Sequence, residues 1–175
     1  DNLDAELTLE VMGSYSSTAP YDCLKTKKIV RQLEEWVVAG GAGAGFLNTD
    51  ALFMLATGNP EMQGYVRRIV YGILRKGIPT TPIDGTKAGK SWHNSAEAIL
   101  LGEYYMATGD KNVLGHLKYA CDRLAATQNK EYGGWRHNFP GGASYGLIPN
   151  AGLPGVLGMY CAKEAGVDID MEAYR

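Results

Sequence analysis

Excess charge of one sign, paired cysteines, histidine and long apolar runs are all scarce in this 175-residue chain, and each scarcity excludes something. Seventeen basic residues stand against nineteen acidic ones, a formal net charge of −2, so neither nucleic acid nor an anionic membrane is an expected partner. No run reaches the roughly 18 apolar residues that a bilayer span needs. The opening "DNLDAELTLE" lacks the basic-then-apolar layout of an export signal. Cys23, Cys121 and Cys161 show no CxxC spacing, so they read as small buried hydrophobes rather than a zinc knuckle or a disulfide framework. No cofactor or metal is expected.

What is present is an ordinary globular composition, 45% hydrophobic, with 23 glycines that punctuate turns. Residues 3–12 alternate apolar and polar with a period of two, the one good strand signal. The Gly/Ser/Pro-rich loop "GSYSSTAPYDC" comes next. From Lys25 the period becomes helical. Ile29, Leu33, Trp36 and Val37 mark a first buried face, ending at Gly40 and Gly41. Asn48 or Thr49 caps a second helix over 50–56, and Asn59 with Pro60 starts a third that buries Val66, Ile69, Val70 and Ile73. A fourth begins near Ser91 and ends at Gly109, carrying Ala98, Leu101, Tyr104 and Tyr105. Asp110 caps a fifth, with Val113, Leu117 and Leu124 inside. Asn150 caps a sixth that runs to Gly166, and "DIDMEAYR" opens a seventh.

Residues 54–70, "MLATGNPEMQGYVRRIV", align without a gap to residues 105–121, "YMATGDKNVLGHLKYAC", at an offset of 51. Residues 159–170 repeat the pattern loosely. The unit is an inner helix, an "ATG[ND]" corner and an outer helix, which means stacked helical hairpins in a solenoid or a closed toroid. "GGAGAGF" at 40–46 then lies between helices and has no Lys-Ser/Thr, so it is a hinge and not a phosphate cradle. The fold class expected is all-α: repeated hairpins forming a partial α/α toroid, with one short N-terminal strand.

Two stretches resemble known families. "LAATQNKEYGGW", with Leu124…Gln128 and Gly133-Gly134-Trp135, resembles the QW-type repeat of terpenoid cyclases and prenyltransferases, with one extra residue between Gln128 and Gly133. That resemblance implies that Gln128 caps a helix end and Trp135 stacks over it as a brace. The cyclases' DxDD acids are absent, so terpene chemistry is not expected. "MGSYSSTAPYDCLKTKKIV", with "LFMLATGNPE", "GEYYMATGD", "GGWRHNF" and "GLIPNAGL", looks like an uncharacterised bacterial family of exported proteins that place a PDZ-like module before an α/α-toroid domain. It departs from that pattern at Leu24, where proline is usual. The likeness implies that residues 1–20 are the tail of an upstream module, that 21–175 are toroid, that further helices of a longer chain are partners, and that the protein is periplasmic or extracellular.

Of the three histidines, His116 reads as a packing or surface residue opposite Tyr65 in the repeat. His93, at the start of an inner helix, and His137, in the loop "GGWRHNF", belong to the ends that line a toroid's cavity. With Tyr145 they form a candidate catalytic set, since imidazole moves protons near neutral pH. Trp92, Asn94, Trp135, Arg136 and Asn138 are candidate binding residues, the tryptophans stacking a sugar ring or else serving as core. A metal would need His93, His137 and Glu97 or Asp22 to converge, and their spacing has no metal-site signature. Cys23 precedes a helix, where a thiol's pKa falls, although burial is the plainer role. Two functions fit this reading. One is a helical-repeat binding or scaffold domain with a glycan or peptide ligand. The alternative is an α/α-toroid carbohydrate-active hydrolase or lyase using His93, His137 and Tyr145.

Overall fold

The computed structural model describes residues 23–40, 48–136 and 146–174. The expected strand at 3–12 and most of the glycine hinge lie outside them. Among the described residues the chain is helical, and strand pairing is limited to one bridge between Arg136 and Leu147.

Helix α1 spans Leu24–Val38. Cys23 caps it, its sulfur accepting from the Thr26 amide at 3.3 Å. Its expected buried face is a correction. Ile29, Leu33 and Trp36 are 45%, 43% and 54% exposed, whereas Val37 and the carboxylate-bearing Glu34 are buried. The period is helical as read. However, α1 leans on the body along the Glu34 edge, and no described element covers the Leu33–Trp36 side.

Helices α2 (Thr49–Ala56) and α3 (Pro60–Leu74) form the first hairpin. Asn59 caps α3 through its side-chain oxygen, which accepts the Glu61 amide at 3.0 Å, and Pro60 supplies a first-turn φ without wasting a donor. Val66 and Val70 are fully buried beneath α3. Helices α4 (Ser91–Thr108) and α5 (Leu114–Thr127) form the second hairpin, with a 3-10 turn at Lys111–Val113 easing the chain into α5. Ala98, Leu100, Leu101, Val113, Leu117, Ala120 and Leu124 have no exposed surface, and each such leucine stabilises the fold by roughly 1.5–3 kcal/mol.

Helix α6 spans Pro149–Glu164 and α7 begins at Met171–Tyr174. The cap of α6 is Ile148 and not Asn150, because Pro149 takes the first helical position with its preset φ. Helix α4 is the centre: α2 lies beside it, α5 behind it, and α6 packs along it most intimately. Glycine makes that approach possible. A Cβ on Gly102 would sit 2.6 Å from the Cys161 Cβ, and one on Gly158 would sit 2.9 Å from the Ala98 Cβ. Pro154 lies inside α6, where it leaves the helix one backbone donor short.

Candidate functional site

The first turn of α4 is held by buried polar groups. The Ser91 hydroxyl donates to the Arg136 carbonyl at 2.8 Å, and the Ser95 hydroxyl donates back to the Ser91 carbonyl at 2.7 Å. Asn94 is 1% exposed; its Nδ2 donates to the Ala88 carbonyl at 3.0 Å and its Oδ1 has no partner. The Arg136–Leu147 bridge, extended by the Ile148 amide donating to the Trp135 carbonyl at 3.2 Å, lies against this turn through Ser91. The structure thus brings Asn94, Trp135 and Arg136 to one end of α4. Trp92 is half-buried there and His93 is exposed. His137, Asn138 and Tyr145 lie outside the described residues.

Two of the expected binding residues have other work. Trp135 is 2% exposed, its indole N–H donates to the Leu124 carbonyl at 2.8 Å, and its ring lies against the backbone of Gly155. No face is open to stack a sugar. Gln128 is buried too; its Nε2 donates to the carbonyls of Gly133 and Ala173, both at 2.8 Å, joining the end of α5 to α7. Asn94 is sealed in the same way, so neither Trp135 nor Asn94 reaches a ligand from solvent. Arg136 is half-buried with its Nε unpartnered.

Glu97, a carboxylate considered for a metal, pairs with Arg123 at 2.9 Å, and that guanidinium lies 4.8 Å from the Tyr119 ring centre. Among the described residues no three His, Cys, Asp or Glu side chains converge on a metal position. Burial pushes the Cys121 thiol up to about 12 and the Cys161 thiol up to about 11, the ranges of inert core cysteines. Cys23 shifts the opposite way. The Thr26 hydroxyl, followed by the Thr26 amide, holds its thiol below the ordinary value. His116 is half-buried with its Nε2 unpartnered.

The most developed polar geometry lies at the hairpin corners, which the sequence-based candidates missed. In the first corner the Thr57 hydroxyl donates to the Met54 carbonyl at 2.9 Å and accepts the Asn59 amide at 3.3 Å. In the second the Thr108 hydroxyl donates to the Tyr104 carbonyl at 2.7 Å and accepts the Asp110 amide at 3.2 Å. Gly58 and Gly109 both turn left-handed, with φ of 65° and 69°. Each corner then bonds to the helix that precedes its own hairpin. Asn59 Nδ2 donates to both oxygens of Glu34 on α1 at 3.2 Å. Asp110 Oδ2 accepts from Tyr71 on α3 at 2.9 Å and from Tyr104 at 3.5 Å. Beyond α6, Lys118 on α5 donates to the Asp168 carbonyl at 3.3 Å. Burial pushes the Asp110 carboxyl up, but bonds from the Asn112 amide, the Tyr71 hydroxyl and the Asn112 side chain outweigh it and hold it below the usual range.

These contacts frame three clefts. One of about 760 Å³ lies between α1 and the first corner, floored by Glu34 and Asn59. One of about 520 Å³ lies between α3 and the second corner, lined by Arg67, Tyr71, Tyr104 and Asp110. The third, about 460 Å³ and mostly apolar, lies between α2 and α4 and is lined by Leu52, Leu55, Ile99 and Met106. Helix α6 also leaves Leu153, Val156, Leu157 and Tyr160 exposed, at spacings of three and four residues.

Comparison with known proteins gives one family. The model of a family described as "Domain of unknown function (DUF6288)" matches residues 26–174. No curated protein and no solved structure matches the chain.

Proposed function

We propose that this chain, which belongs to the DUF6288 family, is a helical-hairpin binding and scaffold module of a longer, exported protein. One observation carries the reading: α6 is apolar on two sides. Its Gly155–Gly158–Cys161 side is filled by α4. Its Leu153–Val156–Leu157–Tyr160 side is exposed, with no described helix packed over it, a row of the kind that an amphipathic helix covers. Because α2, α4 and α6 follow one another side by side, the occupant is a further helix of the same hairpin kind, continuing a stack. The matching corner bonds at Asn59 and Asp110, each tied to the helix that precedes its own hairpin, support a repeating unit, and a partial α/α toroid is the arrangement we favour. The apolar α2–α4 cleft is the place for a glycan or peptide ligand.

The alternative, a carbohydrate-active enzyme centred on His93, His137 and Tyr145, draws on the unfilled buried atoms Asn94 Oδ1 and Arg136 Nε at the same end of α4 as His93. Arrays of amphipathic helical peptides and of glycans, probed with the chain, separate the two. Peptide binding abolished by Leu157→Lys with Tyr160→Lys supports the module. Glycan turnover abolished by His93→Ala, with peptide binding absent, replaces it with the enzyme.

A further inference from the structure

The two outer clefts occupy equivalent places, each between a helix and the corner of the hairpin that follows it. At an offset of 37 residues Glu34 matches Tyr71, Lys27 matches Gly64 and Val30 matches Arg67, and all six line their clefts. The charges differ. In the second cleft the carboxylate of Asp110 is served by two tyrosine hydroxyls and by Asn112. The Arg67 guanidinium lies 4.7 Å from the Tyr71 ring centre, supplying a cation in place. In the first cleft Glu34 is 7% exposed as a residue, and one neutral amide, Asn59 Nδ2, is shared between its carboxylate oxygens. Among the described residues no lysine or arginine forms an ion pair with it; Arg31, the nearest in sequence, pairs with Glu35 at 3.3 Å. Where the second cleft has arginine, the first has Val30.

A carboxylate removed from water without a countercharge is costly, and proteins pair such groups. Here a cation has room beside Glu34. The cleft measures about 760 Å³, and Val30, Val38, Ala56 and Met62 give it aliphatic walls. Glu35 and Glu61 add negative charge among the lining residues, against Lys27 and Arg31. Aliphatic walls leading to a buried acid match a side chain with a methylene stem and a charged head.

The geometry points to a binding site for a basic side chain, lysine or arginine, presented by a peptide segment, with its stem against Val30 and Met62 and its head on Glu34. This site is distinct from the α6 face and the α2–α4 cleft, and it stands whether or not those bind anything.

The test uses blocked pentapeptides of alanine with a central lysine, arginine or norleucine, titrated into the isotopically labelled chain. The lysine and arginine peptides shift the Asn59 side-chain amide and the Met62 methyl in a saturable way, and the norleucine peptide does not. Glu34→Gln, which keeps an acceptor for Asn59, weakens binding by at least about tenfold. Val30→Arg, which installs the cation that the second cleft already has, abolishes binding without lowering the unfolding midpoint. Equal binding of the norleucine peptide, undiminished affinity in Glu34→Gln, or no saturable shift with either basic peptide overturns the assignment.

Discussion

At residues 56–59 and 107–110 the chain turns the same way. A threonine hydroxyl reaches back into the helix it ends, a glycine goes left-handed, and an Asn or Asp side chain caps the next helical turn. The polarity of the bond to the preceding helix is reversed. At the first corner the corner residue donates and the preceding helix holds the acid, Glu34. At the second the corner holds the acid and the preceding helix donates, through Tyr71. Burial differs too. The second hairpin has α6 along it and Trp135 behind it, whereas the first has α4 on one side and only the edge of α1 on the other. A backbone motif can therefore be kept while its electrical sense and its share of the core change.

Breaking the asymmetry of the core has the largest expected effect. Trp135→Ala empties a buried ring site and leaves the Leu124 carbonyl with only the Thr127 hydroxyl as a side-chain donor, costing about 3–5 kcal/mol in urea unfolding. Its mild counterpart in the first hairpin, Tyr65→Phe, loses one bond to Asp50 and about 0.5–1.5 kcal/mol.

Reversing a corner's polarity comes next. Asn59→Asp sets a second carboxylate against Glu34 and removes that acid's donor, at about 1–3 kcal/mol, whereas Asp110→Asn keeps an acceptor and costs about half as much. Equal losses from the two exchanges would mean that polarity is irrelevant at both corners.

Gly58→Ala and Gly109→Ala sharpen what the corners share. Both positions are left-handed and nothing crowds an added Cβ, so each substitution costs about 1–2 kcal/mol from backbone strain alone, and the two costs match. A twofold difference in the measured values would show that the turns are not equivalent.

The smallest effect is on acid stability. Because the folded Asp110 carboxyl lies below its unfolded value, its contribution is fully present above that unfolded value, about 3.9, and is lost as pH falls through the lowered folded one. A pH series of unfolding midpoints from 6 to 2 should be slightly flatter in Asp110→Asn. The site is only half-buried, so the difference is small and shrinks in salt.

Much of the helical layout was legible because its signals are local. Asn59-Pro60, Gly109 and Asp110 are caps that need no partner from elsewhere in the chain; the structure uses Asn59-Pro60 and Gly109 as read, while Asp110 caps the 3-10 turn that leads into α5 rather than α5 itself. The apolar spacing of Val66 and Val70, or of Leu117 and Leu124, likewise marks the buried side. Periodicity failed on α1, because a stripe states which residues share a face and not whether anything covers it. It also left Trp135 open between core and sugar stacking, where the likeness to the QW-type repeat implied a brace, and it hid the burial of Asn94. A tryptophan beside histidine and asparagine looks the same in sequence whether it faces a cleft or a helix of glycines, and here Gly155 settles it. The Glu34–Asn59 and Tyr71–Asp110 bonds span 25 and 39 residues, and no single-window pattern reaches that far. The 51-residue offset would have flagged Asn59 and Asp110 as equivalent, but not what each one holds.

The glycines and proline of α6 have a consequence for the order in which this protein assembles. Gly152, Gly155 and Gly158 each disfavour a helix by about 1 kcal/mol relative to alanine, and Pro154 by about 3. A free peptide of these sixteen residues would therefore be a coil. The shape of α6 is imposed by the surface of α4, which acts as a mould and must already be in place when the later segment arrives.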